Sequence, residues 1–215
     1  MNPLQYAETI CYSSKETLMF TYEMAKKYAN KEGFYVECGV AAGAQIIAMA
    51  YGAPNKTIYA FDSFEGIPLP SNRDDQMPGI MMLSEIERKM LPDPGKQKLE
   101  SSGATSVSME DFSGHLTKAG IKEKRVVMVK GWFEEVLPYD FKVEDKILIL
   151  RLDGDLYNST YVCLENLFDK VVIGGCVIID DWTLPGCRAA CDEYFESISY
   201  KPDYKFISTI AYFYR

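Results

Sequence analysis

Two acidic groups in the sequence have the residue types and spacing to do chemistry. Leu152-Asp153-Gly154-Asp155 sets two carboxylates two residues apart, and Asp180-Asp181 closes a second apolar run. If the chain stays extended through 153–155, both side chains point to the same side. Carboxylates that converge at one edge repel strongly unless a cation offsets them. A magnesium-like ion suits such a set, because it takes oxygen ligands and keeps waters that a substrate hydroxyl can replace. The plainer alternative is that these residues only cap helices and end strands in solvent.

A second acidic pair surrounds a glycine turn. In Glu37-Cys38-Gly39-Val40-Ala41-Ala42-Gly43, the G-x-x-x-G spacing lets the backbone turn tightly and approach a ligand closely. A dinucleotide fingerprint would need G-x-G-x-x-G to admit a pyrophosphate, and position 41 is alanine. An acid just before the first glycine suits a cationic amine better than a phosphate. Asp62, closing the next apolar run, stands where ribose hydroxyls could be bound. Together the pair points to a nucleoside without a phosphate chain, a description that S-adenosylmethionine fits. Lys130-Gly131-Trp132-Phe133 offers a ring that could stack on adenine or belong to the core.

Composition narrows the chemistry further. The chain has 215 residues, 23 Lys+Arg against 31 Asp+Glu, and one histidine, His115. A single imidazole excludes poly-His zinc sites and two-histidine relays. A serine-hydrolase triad would have to use His115, and no G-x-S-x-G elbow accompanies it. The net charge of −8 argues against a binder of nucleic-acid backbones. The six cysteines are scattered through candidate strands and helices, as expected of reduced, buried thiols. Residues 1–20 lack the apolar stretch of a signal peptide, and Val171–Ile179 is too short to span a membrane. The expectation is a cytoplasmic protein with no membrane or nucleic-acid partner.

The elements that must position these residues alternate in type. A helical stripe (Leu18, Tyr22, Ala25, Ala29) is followed by an apolar run at 34–36 and a helix over 44–50. Strands at 58–61, 126–129, 147–150 and 176–179 alternate with helices at 109–119, after 158, and near 188–198, with Asn158 or Ser159 as the cap of the middle one. Residues 204–214 read as one or two terminal strands. Apolar strands separated by helices imply a mostly parallel sheet covered on both faces, with ligands at the carboxyl ends of its strands. Glu37, Asp62, Asp153 and Asp180 all stand at such ends. The chain therefore reads as one α/β domain (1–215) with a helical N-terminal segment (1–32). Residues 67–103 interrupt the alternation with five prolines and four methionines, and read either as a lid over the site or as an insertion packing on a sister subunit.

Five strings occur in order: Tyr35-Val36-Glu37-Cys38-Gly39-Val40, Ala60-Phe61-Asp62-Ser63-Phe64-Glu65-Gly66-Ile67-Pro68, Lys130-Gly131-Trp132-Phe133, Leu150-Arg151-Leu152-Asp153-Gly154-Asp155-Leu156-Tyr157 and Ile179-Asp180-Asp181-Trp182. With Pro185-Gly186-Cys187-Arg188, they resemble the macrocin O-methyltransferase family over about 34–195. That resemblance implies a Rossmann-like class I methyltransferase fold with a seven-stranded sheet. It also implies S-adenosylmethionine- and divalent-metal-dependent methylation of a hydroxyl on a sugar or glycosylated small molecule. On it, Asp153, Asp180 and Asp181 are metal ligands and Asp155 is the general base. The cofactor site comprises Glu37, Gly39, Val40, Ala41, Gly43, Asp62, Ser63, Gly131, Trp132 and Asp153. One departure stands out: the family's glycine loop carries a Trp-Arg-Gly-Gly-like stretch where this chain has Ala41-Ala42-Gly43-Ala44. A homo-oligomer is compatible with the sequence. Two rivals remain, a metal-dependent glycosyltransferase using Asp-x-Asp and a methyltransferase-like subunit that only binds.

Overall fold

The computed structural model describes residues 1–77, 81, 83–138 and 146–215. Seven strands form one sheet in the order β3-β2-β1-β4-β5-β7-β6: β1 (Phe34–Cys38), β2 (Ile58–Asp62), β3 (Val126–Lys130), β4 (Ile147–Leu152), β5 (Val171–Ile179), β6 (Lys205–Ile207) and β7 (Ile210–Tyr214). The first five are parallel, while β7 runs antiparallel to both β5 and β6. This is the mostly parallel, seven-stranded architecture that the alternation and the resemblance predict.

Side-chain alternation along the strands makes two cores, one on each face. Tyr35, Ala60, Ile149 and Ile178 pack with α1 (Pro3–Thr9), α2 (Lys15–Tyr28), α3 (Ala44–Gly52) and α5 (Met109–Lys118). Their neighbours Val36, Phe61, Leu150 and Ile179 pack with α7 (Tyr157–Leu167) and α8 (Pro185–Ser197) on the other face. Two short helices complete the set among the described residues, α4 (Glu85–Lys89) and α6 (Phe133–Val136). All six cysteines are free thiols, five of them buried. No helix among the described residues is long and apolar enough to cross a membrane.

Strand order reverses between β1 and β4, since β1 leads outward to β2 on one side and β4 leads to β5 on the other. The loops after these strands diverge there and open a crevice at their carboxyl ends. Gly39 lies at the crossing, with φ +86°, and a Cβ there would overlap the carbonyl oxygen of Asp153. The first glycine of the turn is thus demanded by the close approach of the two strand ends.

Three local expectations change in the structure. Asp155 adopts φ 57°, so the chain bends after Gly154 instead of running on extended. Helix α7 begins at Tyr157, with Leu156 in the cap position and no side-chain cap of its own. Asn158 and Ser159 therefore lie inside the helix, where Asn158 donates to Glu134 (2.8 Å). Strand β5 starts five residues earlier than the apolar run 176–179 suggests, because its register against β4 shifts between Ile147 and Ile149, near Gly174 and Gly175.

The 67–103 segment is tied at its neck, where Pro68 bridges Ser101 and the Ser102 amide donates to the Ile67 carbonyl (2.8 Å). Between these ends lie a short 3-10 turn at Asn72–Asp74 and helix α4. Pro78 and Met82, counted in that segment, lie outside the described residues.

Candidate active site

A cavity of about 590 Å³ opens at the carboxyl edge of the sheet. Its floor is Gly39, Asp153, Gly154 and Asp155, and its sides come from Asp62, Ser63, Gly131–Glu134 and Asp180–Asp181. Tyr12, Ser13 and Ser14, between α1 and α2, close one side, and Ile67, Pro68 and Met77 of the long segment close another.

The loop after β1 is organised by Asp62. One carboxylate oxygen accepts the amides of Val40 (2.8 Å) and Ala41 (3.1 Å), and the other accepts the amide of Phe64 (2.7 Å). Asp62 therefore holds the turn that the sequence assigned to cofactor binding, while still facing the cavity. Of the residues assigned to the cofactor, Gly39, Ala41, Asp62, Ser63, Gly131, Trp132 and Asp153 line the cavity. Glu37, Val40 and Gly43 are not among its lining residues. Gly43 packs where a Cβ would press on the Phe112 ring, and it opens α3 with φ 86°.

Glu37 lies beneath the floor, 1% exposed, and its partner is Arg151. Arg151 stands near the end of β4 between Leu150 and Leu152 and is fully buried. One of its terminal nitrogens donates to Glu37 (2.7 Å) and to Asp153 (2.7 Å), and the other donates to Asp180. Burial alone would discourage its charge, but the three carboxylates more than offset that and raise its pKa. Burial also pushes Glu37 up, to about 8, with Arg151 opposing the shift. Arg151 escaped the sequence reading. The available signal was a cation inside an apolar strand, which is tolerated only when paired.

The aspartates above this ion group are crowded. Carboxylate oxygens of Asp153, Asp155 and Asp181 lie within 4.8 Å of one another. The Asp155 amide donates to Asp181 (2.8 Å), which ties the two loops together. Asp180 is turned aside, toward Arg151 and toward the Ser13 hydroxyl (3.2 Å). Burial, with the Asp180 charge second, pushes Asp153 up to about 7 and Asp155 up to about 6. Burial and then Asp153 and Asp155 raise Asp181. One guanidinium does not balance this many acids. The donor set is all oxygen, acidic and convergent, so it fits a hard divalent cation.

The cavity also fits a ligand rich in donors. Glu134 lies on its wall, and while Oε1 accepts from Asn158, Oε2 is buried without a hydrogen-bond partner. His115 is remote from this chemistry, as expected of a structural histidine. Its Nδ1 lies 2.6 Å from the Tyr6 hydroxyl, joining α5 to α1.

The chain is similar to several known proteins. The family described as Macrocin-O-methyltransferase (TylF) matches residues 23–215. Demethyldecarbamoylnovobiocin O-methyltransferase of Streptomyces niveus is 34% identical over 171 residues, covering 77% of this chain and 59% of that protein. The 8-demethyl-8-(2,3-dimethoxy-alpha-L-rhamnosyl)-tetracenomycin-C 4'-O-methyltransferase of Streptomyces olivaceus is 32% identical over 167 residues, covering 75% of this chain and 58% of that protein. The chain thus spans less than two thirds of the length of these curated relatives. The solved structure of the O-methyltransferase NovP superposes with a TM-score of 0.73 at 28% identity, covering 94% of this chain and 80% of that one, which makes the fold that of class I O-methyltransferases. The family match runs through every strand of the sheet, and the chain belongs to the macrocin O-methyltransferase family.

Proposed function

We propose that this protein transfers a methyl group from S-adenosylmethionine to a hydroxyl of a sugar or glycosylated small molecule, with the help of a divalent cation such as Mg²⁺. The observation that carries the reading is the meeting, in one cavity at the sheet's switch point, of the Asp62-organised turn and the unbalanced aspartate cluster. Asp153, Asp180 and Asp181 would hold the cation. Gly39, Ala41, Asp62, Ser63, Gly131 and Trp132 would bind the cofactor, with Asp62 offering oxygens to the ribose hydroxyls. When bound, the cofactor supplies an electrophilic methyl group and the cation lowers the pKa of the acceptor hydroxyl.

The chain's own residues do the rest. Asp155, pushed up to about 6, is ionised at neutral pH yet more basic than an ordinary carboxylate. It would take the hydroxyl proton as the acceptor oxygen attacks. Arg151 holds the Asp153 and Asp180 side chains in place at the floor. Ile67, Pro68 and Met77 give the acceptor an apolar wall, and Tyr12 to Ser14 face it across the mouth. This arrangement supplies orientation, which contributes much of the rate in a direct transfer.

The decisive variant is Asp155→Asn. Turnover should be abolished, while calorimetry finds S-adenosylmethionine and Mn²⁺ affinities near those of the wild type. A fully active variant sinks Asp155 as base. A specific observation favours a second reading of the ligand set: Asp155, and not Asp180, shares the 4.8 Å cluster. If Asp155 is a ligand, Asp155→Asn loses Mn²⁺ affinity and Asp180→Asn keeps it. Binding of a UDP-sugar in place of S-adenosylmethionine would revive the glycosyltransferase alternative, and failure to turn over any hydroxylated acceptor would favour a binding subunit.

A further inference from the structure

Helix α7 starts two residues after Asp155, so the position of that carboxylate is dictated by where the helix starts. Nothing local fixes that start, because Leu156 in the cap position offers no polar side chain. The cap comes from 83 residues away: the Tyr157 amide donates to Asp74 Oδ1 at 2.7 Å, in a buried contact. Asp74 is 3% exposed, and its other oxygen accepts the amide and hydroxyl of Ser71 (2.9 and 2.8 Å). The same Oδ1 lies against Gly186 in the first turn of α8, where a Cβ would overlap it. Helix α8 is the helix that follows Asp180-Asp181. One buried carboxylate therefore sits between the amino ends of the two helices that carry the two aspartate loops, where both helix dipoles favour it.

Neighbouring contacts brace this junction. The Arg73 guanidinium lies over the Tyr157 ring, 4.6 Å from its centroid, and pairs with Glu193 of α8. The Tyr157 hydroxyl donates to the same Glu193 (2.6 Å). Three residues beyond Asp74, Met77 reaches the cavity wall, its amide donating to the Asp74 carbonyl (2.9 Å).

We infer that Asp74 is a positioning residue of the active site: by capping α7 and abutting α8, it sets the first aspartate loop against the second. The inference rests on the reading that these aspartates bind a divalent cation, and it assigns the long segment a part in assembling that centre as well as walling the acceptor. A cap that only stabilised its helix would lower the melting temperature when lost and leave ligand affinities alone. A positioning role moves one affinity and spares the other.

The test uses the full chain with Asp74→Ala, Asp74→Asn and Gly186→Ala. Mn²⁺ and S-adenosylhomocysteine affinities are measured by calorimetry, and amide hydrogen exchange is followed over 153–158 and 180–184. Asp74→Ala should weaken Mn²⁺ binding at least tenfold and change S-adenosylhomocysteine binding less than threefold. Gly186→Ala, which intrudes on the same oxygen, should reproduce that split. Asp74→Asn, which keeps an oxygen for the Tyr157 amide, should recover most of the Mn²⁺ affinity. Mn²⁺ binding within threefold of wild type in both Asp74→Ala and Gly186→Ala overturns the inference, as does a parallel loss of both ligands. If the wild type itself takes up no Mn²⁺, the cation reading fails separately and exchange decides. Faster exchange confined to the two loops in Asp74→Ala upholds the role of Asp74, and unchanged exchange overturns it.

Discussion

Replacing Arg151 with methionine should reveal how much the site's buried charge costs. The guanidinium is fully buried and serves Glu37, Asp153 and Asp180. Without it, Asp153 and Asp180 keep some access to water, their side chains being 29% and 13% exposed, whereas Glu37 at 1% has none. Breaking a buried ion pair from one side costs about 3–5 kcal/mol. Glu37, pushed up to about 8, can escape part of this by taking a proton. The loss should therefore lie near the lower bound at pH 7 and near the upper bound at pH 9. For a chain of this length, with about 2–4 °C per kcal/mol, the melting temperature should fall by about 6–20 °C. Urea unfolding of the cation-free protein at both pH values measures it. Adding Glu37→Gln to the Arg151→Met background should return at least about 1 kcal/mol, since it removes the acid with no route to solvent. Arg151→Met within about 1 kcal/mol of wild type at pH 9, or a double variant no better than the single, would refute the idea that this arginine neutralises the floor.

Other consequences can be measured alongside. Asp155, Asp153 and Glu37 are held at about 6, 7 and 8 in the folded chain, above ordinary unfolded carboxylates near pH 4, so the folded state keeps extra protons in between. Stability of the cation-free protein should then fall as pH rises from about 4 through 8, and saturating Mg²⁺ should flatten that slope; a melting temperature rising across this window would contradict it. Gly39→Ala meets the Asp153 carbonyl at φ +86° and should cost several kcal/mol, about 3 or more, together with S-adenosylmethionine binding read by calorimetry. Gly114→Ala, inside α5 with open space around it, should instead stabilise by about 0.5–1 kcal/mol in the same urea assay.

The sheet was largely legible because its strands are short, apolar and bounded by acids and glycines. The runs at 34–36, 58–61, 126–129 and 147–150 all became strands. The residues that line the cavity from strand ends were equally legible, since a parallel sheet brings all its carboxyl ends to one edge. The features that stayed hidden depend on contacts distant in sequence. Asn158 and Ser159 have the chemistry of caps, yet an aspartate from the 67–103 segment takes that part and moves the helix start to Tyr157. Arg151 broke an apolar run without revealing its three partners. Ser13 reaches Asp180 from 167 residues away, and no local pattern announces it. Early β5 was obscured by Gly174 and Gly175, where the register shifts and Ile173 is left 85% exposed.

On the proposed function, the uneven anchoring of the 67–103 segment bears on how acceptor range can change. Its portion around 71–74 is wired into α7 and α8, whereas Ile86 on α4 and Met90 just after it are 73% and 78% exposed and carry no such ties among the described residues. Recombination between relatives that exchanges the whole segment would import a foreign cap and disturb the reaction centre together with the acceptor wall. Exchanging only residues 84–91 leaves the contacts of Asp74 with Ser71, Tyr157 and Gly186 native. The segment is thus divided into a part free to diversify and a part that must travel with the helices it seats.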